Sequence, residues 1–341
     1  MVYNLHMAKV LVTGAGGYIG SVSTYLLLQQ GHEVVAVDNF SRGYRQPLEL
    51  LQKKFGQNKL CWYEKDIHDD LSVIFQDNKG IENALHYAAF CSVDESVKNP
   101  EMYFSNNTDG TESLVSQLVK NGVKNLVFSS TCAVYGNAHY VPIDEKHPTN
   151  PENPYGESKL KAENAIKQHA MKNGLKYVIL RYFNVCGGAD DGLIGDSKKP
   201  SVQLMQNAIR GALGIEPFNL TYQEFDTPDG SPIRDYVNVV DLNEAHLKAL
   251  RYLQNGGKSE IMNLGTGTGN SVLEIVKKVQ EVTGKTFELT KAAPRQGEYD
   301  KMIASIEKVK TLLNWEPKRS LEDSINALLI WYKAHPNGWE K

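Results

Sequence analysis

The chain has 341 residues, of which 41% are hydrophobic and 23% charged, with a formal net charge of -3 at pH 7. This length and apolar content predict a large core in two domains or in one elaborated domain. The charge, without any basic cluster, argues against nucleic acid or an anionic membrane surface as a partner. No apolar run approaches the ~20 residues that a membrane span requires.

The four cysteines, Cys61, Cys91, Cys132 and Cys186, are scattered along the chain and form no Cys-x-x-Cys pair. We therefore expect neither a metal site nor a disulfide framework, and we expect a reducing, cytoplasmic location. Residues 1–8 lack the charged and apolar regions of a signal peptide.

A glycine-rich turn separates the first predicted strand, residues 9–13, from a helical pattern that runs to residue 28. Gly14, Gly17 and Gly20 have the spacing of a dinucleotide-binding turn, in which glycine permits a tight bend and close approach of the backbone. The N-terminus of the helix then faces a pyrophosphate. The alternative is an ordinary turn between a strand and a helix.

The second predicted strand, residues 33–38, ends at Asp38, about 20 residues beyond the turn, as dinucleotide-binding units require. A carboxylate at this point binds the ribose hydroxyls and repels a 2′-phosphate, which favours NAD over NADP. We interpret Arg42, which could favour NADP, as a solvated loop residue.

Further strands are predicted over residues 60–66, 83–89, 125–130 and 177–182, with helical patterns between them, notably over residues 100–120. Alternation of strands and helices predicts an α/β fold with a Rossmann-type, doubly wound parallel sheet. Ligands bind such sheets at the carboxyl ends of the strands. The predicted residues at these ends are Asp38, Asp66, Ala89, Thr131 and Tyr182.

The composition changes after residue 181, where a glycine-rich loop is followed by shorter, less regular patterns. We predict an NAD-binding Rossmann domain over residues 1–181 and a smaller α/β substrate domain over residues 182–341. A segment around residues 233–255 is expected to return to the first domain. The cleft between two such domains is the natural place for a substrate.

A predicted helix opens with Asn153 as a cap and Pro154 in its first turn. Tyr155 and Lys159 follow, four residues apart, so they lie on one face of that helix. A free tyrosine has a pKa near ~10, and a nearby ammonium lowers it, as a bound oxidised nicotinamide would. The pair is a candidate for proton transfer in hydride chemistry on an alcohol. The alternative is an exposed tyrosine beside a solvated lysine.

Motifs along nearly the whole chain resemble those of extended short-chain dehydrogenases/reductases, and among them the UDP-glucose 4-epimerases. They are Val12-Thr-Gly-Ala-Gly-Gly-Tyr-Ile-Gly20, Val37-Asp-Asn39, Phe128-Ser-Ser-Thr-Cys-Ala-Val-Tyr-Gly136, Pro154-Tyr-Gly-Glu-Ser-Lys159, Leu180-Arg-Tyr-Phe-Asn184, Asp229-Gly-Ser-Pro-Ile-Arg-Asp-Tyr236 and Asn263-Leu-Gly-Thr-Gly267. Their order and spacing favour the epimerases over other nucleotide-sugar enzymes.

The resemblance implies an NAD-dependent isomerase that interconverts UDP-glucose and UDP-galactose. The sugar is oxidised at C4, the 4-keto sugar rotates, and it is reduced on its other face. Tyr155 would remove the proton from the 4-hydroxyl, Lys159 would hold the nicotinamide ribose, and Thr131 would bond the 4-oxygen. The same resemblance implies a homodimer and a place in galactose metabolism.

The resemblance also assigns binding residues. Those for the cofactor are Gly14, Gly17, Tyr18, Ile19, Gly20, Asp38, Asn39, Asp66, Ile67, Tyr87, Ala88, Ala89, Asn107, Ser129, Tyr155, Lys159 and Tyr182. Those for the UDP-sugar are Thr131, Tyr155, Asn184, Gln203, Leu204, Arg234, Arg295, Glu298 and Met302. Among these, Asn184, Arg234 and Arg295 would bind the diphosphate, Glu298 the uridine ribose, and Met302 would face the sugar.

Three other activities remain as alternatives. Related dehydratases carry an acid directly after the site threonine, whereas this chain has Cys132 and Ala133. A 4-epimerase of another UDP-sugar, an N-acetylhexosamine or a pentose, fits the same motifs. A non-catalytic, NAD-binding regulator fits the fold but does not need Thr131, Tyr155 and Lys159 together.

Overall fold

The computed structural model describes residues 7–197, 201, 203–220, 222, 224–287, 290–291 and 299–339. Its strands are β1 (Lys9–Thr13), β2 (Glu33–Asp38), β3 (Leu60–Glu64), β4 (Asn83–His86), β5 (Asn125–Thr131), β6 (Lys176–Tyr182), β7 (Asn184–Cys186), β8 (Asn219–Leu220), β9 (Ile233–Asn238), β10 (Glu260–Leu264), β11 (Gly269–Ser271), β12 (Thr290–Lys291) and β13 (Lys301–Met302).

The helices of the described residues lie between these strands and after the last of them. They are α1 (Tyr18–Gln29), α2 (Gln46–Phe55), α3 (Ser72–Asp77), α4 (Val93–Lys98), α5 (Pro100–Tyr103), α6 (Gly110–Lys120), α7 (Pro154–Asn173), α8 (Leu204–Ala212), α9 (Val239–Gln254), α10 (Val272–Thr283), α11 (Glu307–Leu313) and α12 (Leu321–Ala334). Within the described part of the chain, every helix is too short or too polar to cross a bilayer.

The main sheet has seven parallel strands in the order β10-β6-β5-β4-β1-β2-β3. The order reverses between β1 and β4, and ligands bind at such a reversal in doubly wound sheets. The prediction of a Rossmann-type parallel sheet is therefore confirmed.

Alternate residues of each central strand face opposite sides of the sheet, and both sides are buried. Val10 and Val127 pack with α1 and α9 on one side, whereas Leu11 and Leu126 pack with α6 and α7 on the other. Burial on both sides explains why these strands are apolar along their length.

A second sheet, β11-β9-β13 with β7 paired to β9, lies in the later half of the chain. That half also contributes to the main sheet, because β10 forms its edge beside β6 and α9 contacts α1, β5 and β6. The proposed return segment, residues 233–255, contains α9, and β10 follows it.

The structure differs from the sequence prediction at two places beside the cavity described below. Strands β3 and β4 end at Glu64 and His86, two and three residues before their predicted ends, because the chain turns there into loops. The helix predicted over residues 100–120 is interrupted by a π-helical stretch, Phe104–Asp109. That stretch contains Asn107, whose amide bonds the backbone of Phe90 at 2.8 and 3.0 Å.

Candidate active site

A cavity of about 1110 Å³ opens at the carboxyl ends of β1, β2, β4, β5 and β6. It is larger than the roughly 300–1,000 Å³ of an ordinary small-molecule pocket. Most of the predicted site residues line it: Gly14, Gly17, Tyr18, Ile19, Gly20, Asp38, Asn39, Asp66, Ile67, Tyr87, Ala88, Ala89, Thr131, Tyr155, Lys159, Tyr182, Asn184, Gln203, Leu204, Arg234 and Met302.

The turn between β1 and α1 forms one wall, and its glycines are required sterically. Gly14 has a φ of +72°, and a Cβ there would lie 2.5 Å from the backbone nitrogen of Ala88. A Cβ at Gly20 would overlap the carbonyl oxygen of Gly14. Helix α1 begins after Gly17 without a side-chain cap, so its first N–H groups and its dipole are available to a phosphate. This cradle fits the pyrophosphate of a dinucleotide.

Asp38 lies at the end of β2 in the same wall and is only 9% exposed. Its carboxylate accepts hydrogen bonds from the N–H groups of Gly16 (2.9 Å) and Phe40 (2.7 Å), which fix its direction. Arg42 is an exposed loop residue, as the sequence predicts, and its side chain also has partners. It donates to Glu95 at 2.6 Å and lies 5.0 Å from the Phe90 ring centroid. The fixed carboxylate, with the nearby arginine paired to an acid, fits NAD better than NADP.

Replacing Asp38 with alanine and Asn39 with arginine is expected to weaken NAD binding and improve NADP binding. The change removes the ribose acceptor and the repulsion against a 2′-phosphate. Acid release of the nucleotide from purified protein, followed by mass analysis, should recover NAD from the unaltered chain. Dissociation constants for both nucleotides then measure the switch.

Glu112→Ala is the control, because Glu112 is an exposed acid on α6 outside the cavity. An unchanged preference in the double variant, or recovery of NADP from the unaltered chain, would place the ribose elsewhere.

Thr131 and Tyr155 meet at the middle of the cavity. Asn153 caps α7 by accepting a bond from the N–H of Gly156 (2.9 Å), and this cap sets the position of Tyr155 in the first turn. The Thr131 side chain, at the end of β5, accepts from the N–H of Ala133 (3.2 Å) and lies close enough to the Tyr155 hydroxyl to lower its pKa. The structure therefore brings together two of the three predicted catalytic residues.

Burial raises the pKa of Tyr155 well above 10, and the neighbouring Tyr182 and Cys91 raise it further. The nearby Thr131 side chain lowers that pKa. The sequence predicts that Lys159 lowers the pKa of Tyr155, but in the protein without ligands burial is the dominant influence and raises it. Tyr155 is thus held as a neutral phenol.

Lys159 lies one turn after Tyr155 and is 3% exposed. Its Nζ lies 4.1 Å from the centroid of the Phe128 ring. Burial lowers the pKa of Lys159 to about 7, while the Glu163 carboxylate, a further turn along α7, opposes that shift. Glu163 is fully buried and is held by Arg181 at 2.6 and 2.9 Å and by Ser130 at 2.6 Å. A lysine with this pKa can change its charge near neutral pH.

Asn107 and Ser129, predicted to contact the cofactor, lie behind the cavity wall. Asn107 donates to Ser158 (3.0 Å) on α7 as well as bonding Phe90. Ser129 pairs with His246 (2.9 Å) and lies close enough to the hydroxyl of Tyr182 to lower its pKa. Their side chains hold wall residues in place.

The later half of the chain supplies the opposite part of the lining. Arg234 on β9 donates to the carbonyl oxygen of Ile233 (2.9 Å) and faces the cavity with Asn184 of β7. Met302 of β13 is 3% exposed and also packs in a cluster with Phe183. Arg295 and Glu298 lie outside the described residues.

Side-chain bonds tie the two halves together around the cavity. The hydroxyl of Tyr18 donates to the carbonyl oxygen of Gly187, and that of Tyr44 to the carbonyl oxygen of Ser197 (2.7 Å). Within the later half itself, the backbone N–H of Trp339 donates to the hydroxyl of Ser197 at 3.0 Å.

Several lining residues were not predicted from the sequence, among them Tyr44, Phe183, Tyr299 and Trp339. Tyr299 stands three residues before Met302, and this proximity is the signal that could have revealed it. No local pattern marks Trp339. Among the described residues, no three His, Cys, Asp or Glu side chains are grouped so that they could hold a metal ion.

The fold and the cavity define a dinucleotide-dependent enzyme with room for a second ligand. Residues 10–265 match the NAD dependent epimerase/dehydratase family. The chain belongs to this family.

Its relatives in sequence and structure include UDP-glucose 4-epimerases. One, from Streptococcus mutans, is 40% identical over 97% of this chain and 98% of its own. The structure of UDP-glucose 4-epimerase from Bifidobacterium longum in complex with NAD+ and UDP is 32% identical, with a TM-score of 0.92 over 97% and 100% of the two chains. The UDP-Glc/GlcNAc 4-epimerase of Campylobacter jejuni is 34% identical, with a TM-score of 0.81 over 96% and 99%.

Proposed function

We propose that the protein is an NAD-dependent 4-epimerase that interconverts UDP-glucose and UDP-galactose. The observation that carries this proposal is a single cavity, with groups suited to a dinucleotide at one end and groups suited to a diphosphate at the other. The glycine turn and Asp38 lie at one end, and Arg234 and Asn184 at the other, with Thr131, Tyr155 and Lys159 between them. The likeness to UDP-glucose 4-epimerases over nearly the whole chain supports it.

The residues of the chain bind the sugar and move its proton. Arg234, Asn184 and Arg295 hold the diphosphate, and Glu298 the uridine ribose. Thr131 bonds the 4-oxygen, and the Tyr155 oxygen accepts the proton of the 4-hydroxyl as the sugar is oxidised. When bound, NAD supplies an acceptor and donor of hydride at C4.

The return of the proton follows from the environment of Tyr155. Because burial raises its pKa well above 10, the phenolate is a strong base that holds the proton once it has taken it. The phenol then donates the proton back to the 4-oxygen after the sugar has turned. Lys159, when charged, favours the phenolate and so makes the first transfer possible.

The residues that follow Thr131 do not favour the alternative activity, that of a dehydratase. Burial raises the pKa of the Cys132 thiol to about 12, and Ala133 has no proton to give. An acid at this position would be needed to expel water from the sugar.

The test is incubation of the purified protein with UDP-galactose, UDP-N-acetylgalactosamine and UDP-arabinose in turn, with products resolved by chromatography. We expect UDP-glucose from UDP-galactose. Absence of product from every substrate, or a product that has lost water, would contradict the proposal.

Met302 is proposed to limit the size of the sugar. It is intermediate in size, so we expect strong activity on UDP-glucose and UDP-galactose and weaker activity on their N-acetyl forms. Met302→Ser should raise N-acetylhexosamine epimerisation, and Met302→Tyr should suppress it. The measurement is the ratio of kcat/KM between the two substrate pairs, because a buried methionine replaced by serine also lowers stability.

Met171→Ser is the control, since Met171 is exposed on α7 and lies outside the cavity. If neither change at Met302 alters the ratio, its role is packing alone.

We also propose two domains, residues 1–181 for NAD and 182–341 for the UDP-sugar, with residues 233–255 returning to the first. The packing of α9 on α1, β5 and β6 supports the return.

We further propose a homodimer that acts in galactose metabolism in the cytoplasm. The free thiols of Cys61, Cys91, Cys132 and Cys186 support a reducing compartment, and the resemblance to UDP-glucose 4-epimerases supports the dimer. Light scattering would measure the mass, and a mass equal to the 38.1 kDa chain would contradict a dimer.

A further inference from the structure

A buried polar cluster lies behind the cavity, where α7 packs on the main sheet. Its centre is Glu163, which follows Lys159 by one helical turn and is fully buried. Arg181 donates to both carboxylate oxygens, at 2.9 and 2.6 Å, and the hydroxyl of Ser130 donates to one of them at 2.6 Å. Burial of a charge is tolerated when the charge is paired and hydrogen-bonded in this way. The protein therefore keeps a carboxylate inside the fold, one turn from Lys159.

The partners of Glu163 lie in one row across three strands. Ser130 of β5 is in register with Arg181 of β6, and Arg181 is in register with Asn263 of β10. The Arg181 guanidinium lies 4.9 Å from the ring centroid of Tyr135, whose hydroxyl donates to Asn263 at 2.8 Å. Each of these four partners belongs to one of the motifs noted in the sequence, yet none of them lines the cavity. Their contacts converge on Glu163 instead of on a ligand.

This row holds the part of α7 that carries Lys159. Phe128 and Ser130 are two residues apart on β5, so their side chains point to the same face of the sheet. The Lys159 Nζ lies 4.1 Å from the centroid of the Phe128 ring, and Glu163 accepts from Ser130. Two successive turns of α7 are thus held against β5, which ends at Thr131. A change at Glu163 would move Lys159 relative to the strand that carries Thr131.

The charge of Lys159 depends on groups from α7, from β4 with the loop after it, and from β5. Burial lowers the pKa of Lys159 to about 7, and Glu163 and Cys91 oppose that shift. His86 on β4 is neutral, because burial and the nearby Lys159 lower its pKa to about 3. Phe128 presents the face of its ring, which attracts a cation. Glu163 thus supplies a full negative charge in support of the ammonium.

We propose that Glu163 is a positioning residue of the reaction, which holds Lys159 against β5 and supplies the negative charge that keeps it an ammonium. This inference rests on the proposed function. Glu163 acts through Lys159 and touches neither sugar nor nucleotide, because it lies outside the cavity lining.

The first test measures the charge of Lys159 directly. Its pKa is followed by NMR at the Cε atom of isotopically labelled lysine, and the resonance is assigned by its absence from Lys159→Met. In Glu163→Gln the pKa of Lys159 falls by about 1 unit, because the opposite charge one turn away has gone. In Glu163→Asp, which retains the carboxylate, it stays close to that of the unaltered protein.

Glu163→Gln leaves Arg181 as a buried cation without its carboxylate, and such a change can prevent folding. The double variant Glu163→Gln, Arg181→Met is therefore measured beside it. The pKa of Lys159 falls in the double variant too, since the carboxylate is lost in both proteins.

Asp241→Asn is the matched control, because Asp241 is a fully buried acid that accepts from Arg319 at 2.5 Å and lies outside the cavity. It lowers the melting temperature and leaves the pKa of Lys159 unchanged. An unchanged pKa in both proteins that carry Glu163→Gln, or an equal fall in the control, would overturn the proposal. This measurement needs no substrate, so it is decisive even if the protein epimerises no UDP-sugar.

The second test follows the reaction through kcat/KM for UDP-galactose as a function of pH. In Glu163→Gln, kcat/KM equals that of the unaltered protein at low pH, where Lys159 is charged in both. It becomes constant at a lower pH, and its constant value is about tenfold smaller, because Lys159 loses its charge about 1 unit earlier. Glu163→Asp restores the profile. A loss by the same factor at every pH would show that the charge of Glu163 has no part in the reaction, and would overturn the proposal.

Discussion

Tyr155→Phe is expected to lower kcat by about 10²–10⁴-fold, the usual cost of removing a general acid–base group. The change removes the atom that receives the proton of the 4-hydroxyl. Affinity for the UDP-sugar should stay nearly constant, because it derives mainly from the nucleotide and diphosphate contacts. Steady-state kinetics and calorimetry on the purified variant separate the two quantities.

Tyr252→Phe serves as the control, because the Tyr252 hydroxyl accepts from the N–H of Lys258 outside the cavity. The control should turn over normally. Near-normal turnover by Tyr155→Phe would remove this residue from the mechanism.

Lys159→Met is expected to lower kcat/KM at pH 7 by about 10–10³-fold, since an opposite charge nearby shifts a pKa by about 1–3 units. The loss should shrink as the pH rises. Lys161→Met is the matched control, because Lys161 is exposed on the same helix and pairs with Glu157 at 2.8 Å.

The pH dependence follows from the protons that the pair holds. Below about pH 7 both Lys159 and Tyr155 are protonated. The fraction of protein that has Lys159 as the ammonium and Tyr155 as the phenolate then falls tenfold for each unit by which the pH decreases. Above about pH 7 the pair holds one proton, so the fraction with ammonium and phenolate is constant. In Lys159→Met the phenolate instead grows tenfold per unit up to the pKa of Tyr155, which lies well above 10.

For the unaltered protein, kcat/KM therefore rises with pH and becomes constant above about pH 7. For Lys159→Met, kcat/KM continues to rise with pH. A variant whose profile is parallel to that of the unaltered protein would show that Lys159 acts without changing the pKa of Tyr155.

The strands of the main sheet could be predicted because their apolar runs are buried on both faces, as in β1 and β5. The glycine turn, Asp38 and Tyr155 could be found because each has a fixed spacing within a short segment. The π-helical stretch could not, because it lies inside a helical pattern that runs over residues 100–120. The contacts of Asn107 with Phe90 and Ser158 arise only in the folded chain.

The other features of the site could not be predicted because they depend on residues that are far apart in the sequence. Trp339 reaches the cavity through a bond to Ser197, 142 residues earlier, and no local pattern encodes that approach. The Lys159 ammonium lies over the ring of Phe128, which belongs to strand β5 and is distant from Lys159 in the sequence. The sequence placed Lys159 on the correct helical face but could not show that burial, rather than its charge, dominates the pKa of Tyr155.

The hydrogen bonds of Tyr18 and Tyr44 to Gly187 and Ser197 have a kinetic consequence. Both tyrosines line the cofactor wall, and both partners belong to the later half of the chain. We therefore expect these links, each worth about 1 kcal/mol net, to slow the release of a bound nucleotide. Retention of this kind suits a reaction that restores its own oxidant at every turnover. We expect the dinucleotide to behave as a resident prosthetic group, so that epimerisation does not depend on the ratio of oxidised to reduced nucleotide around the protein.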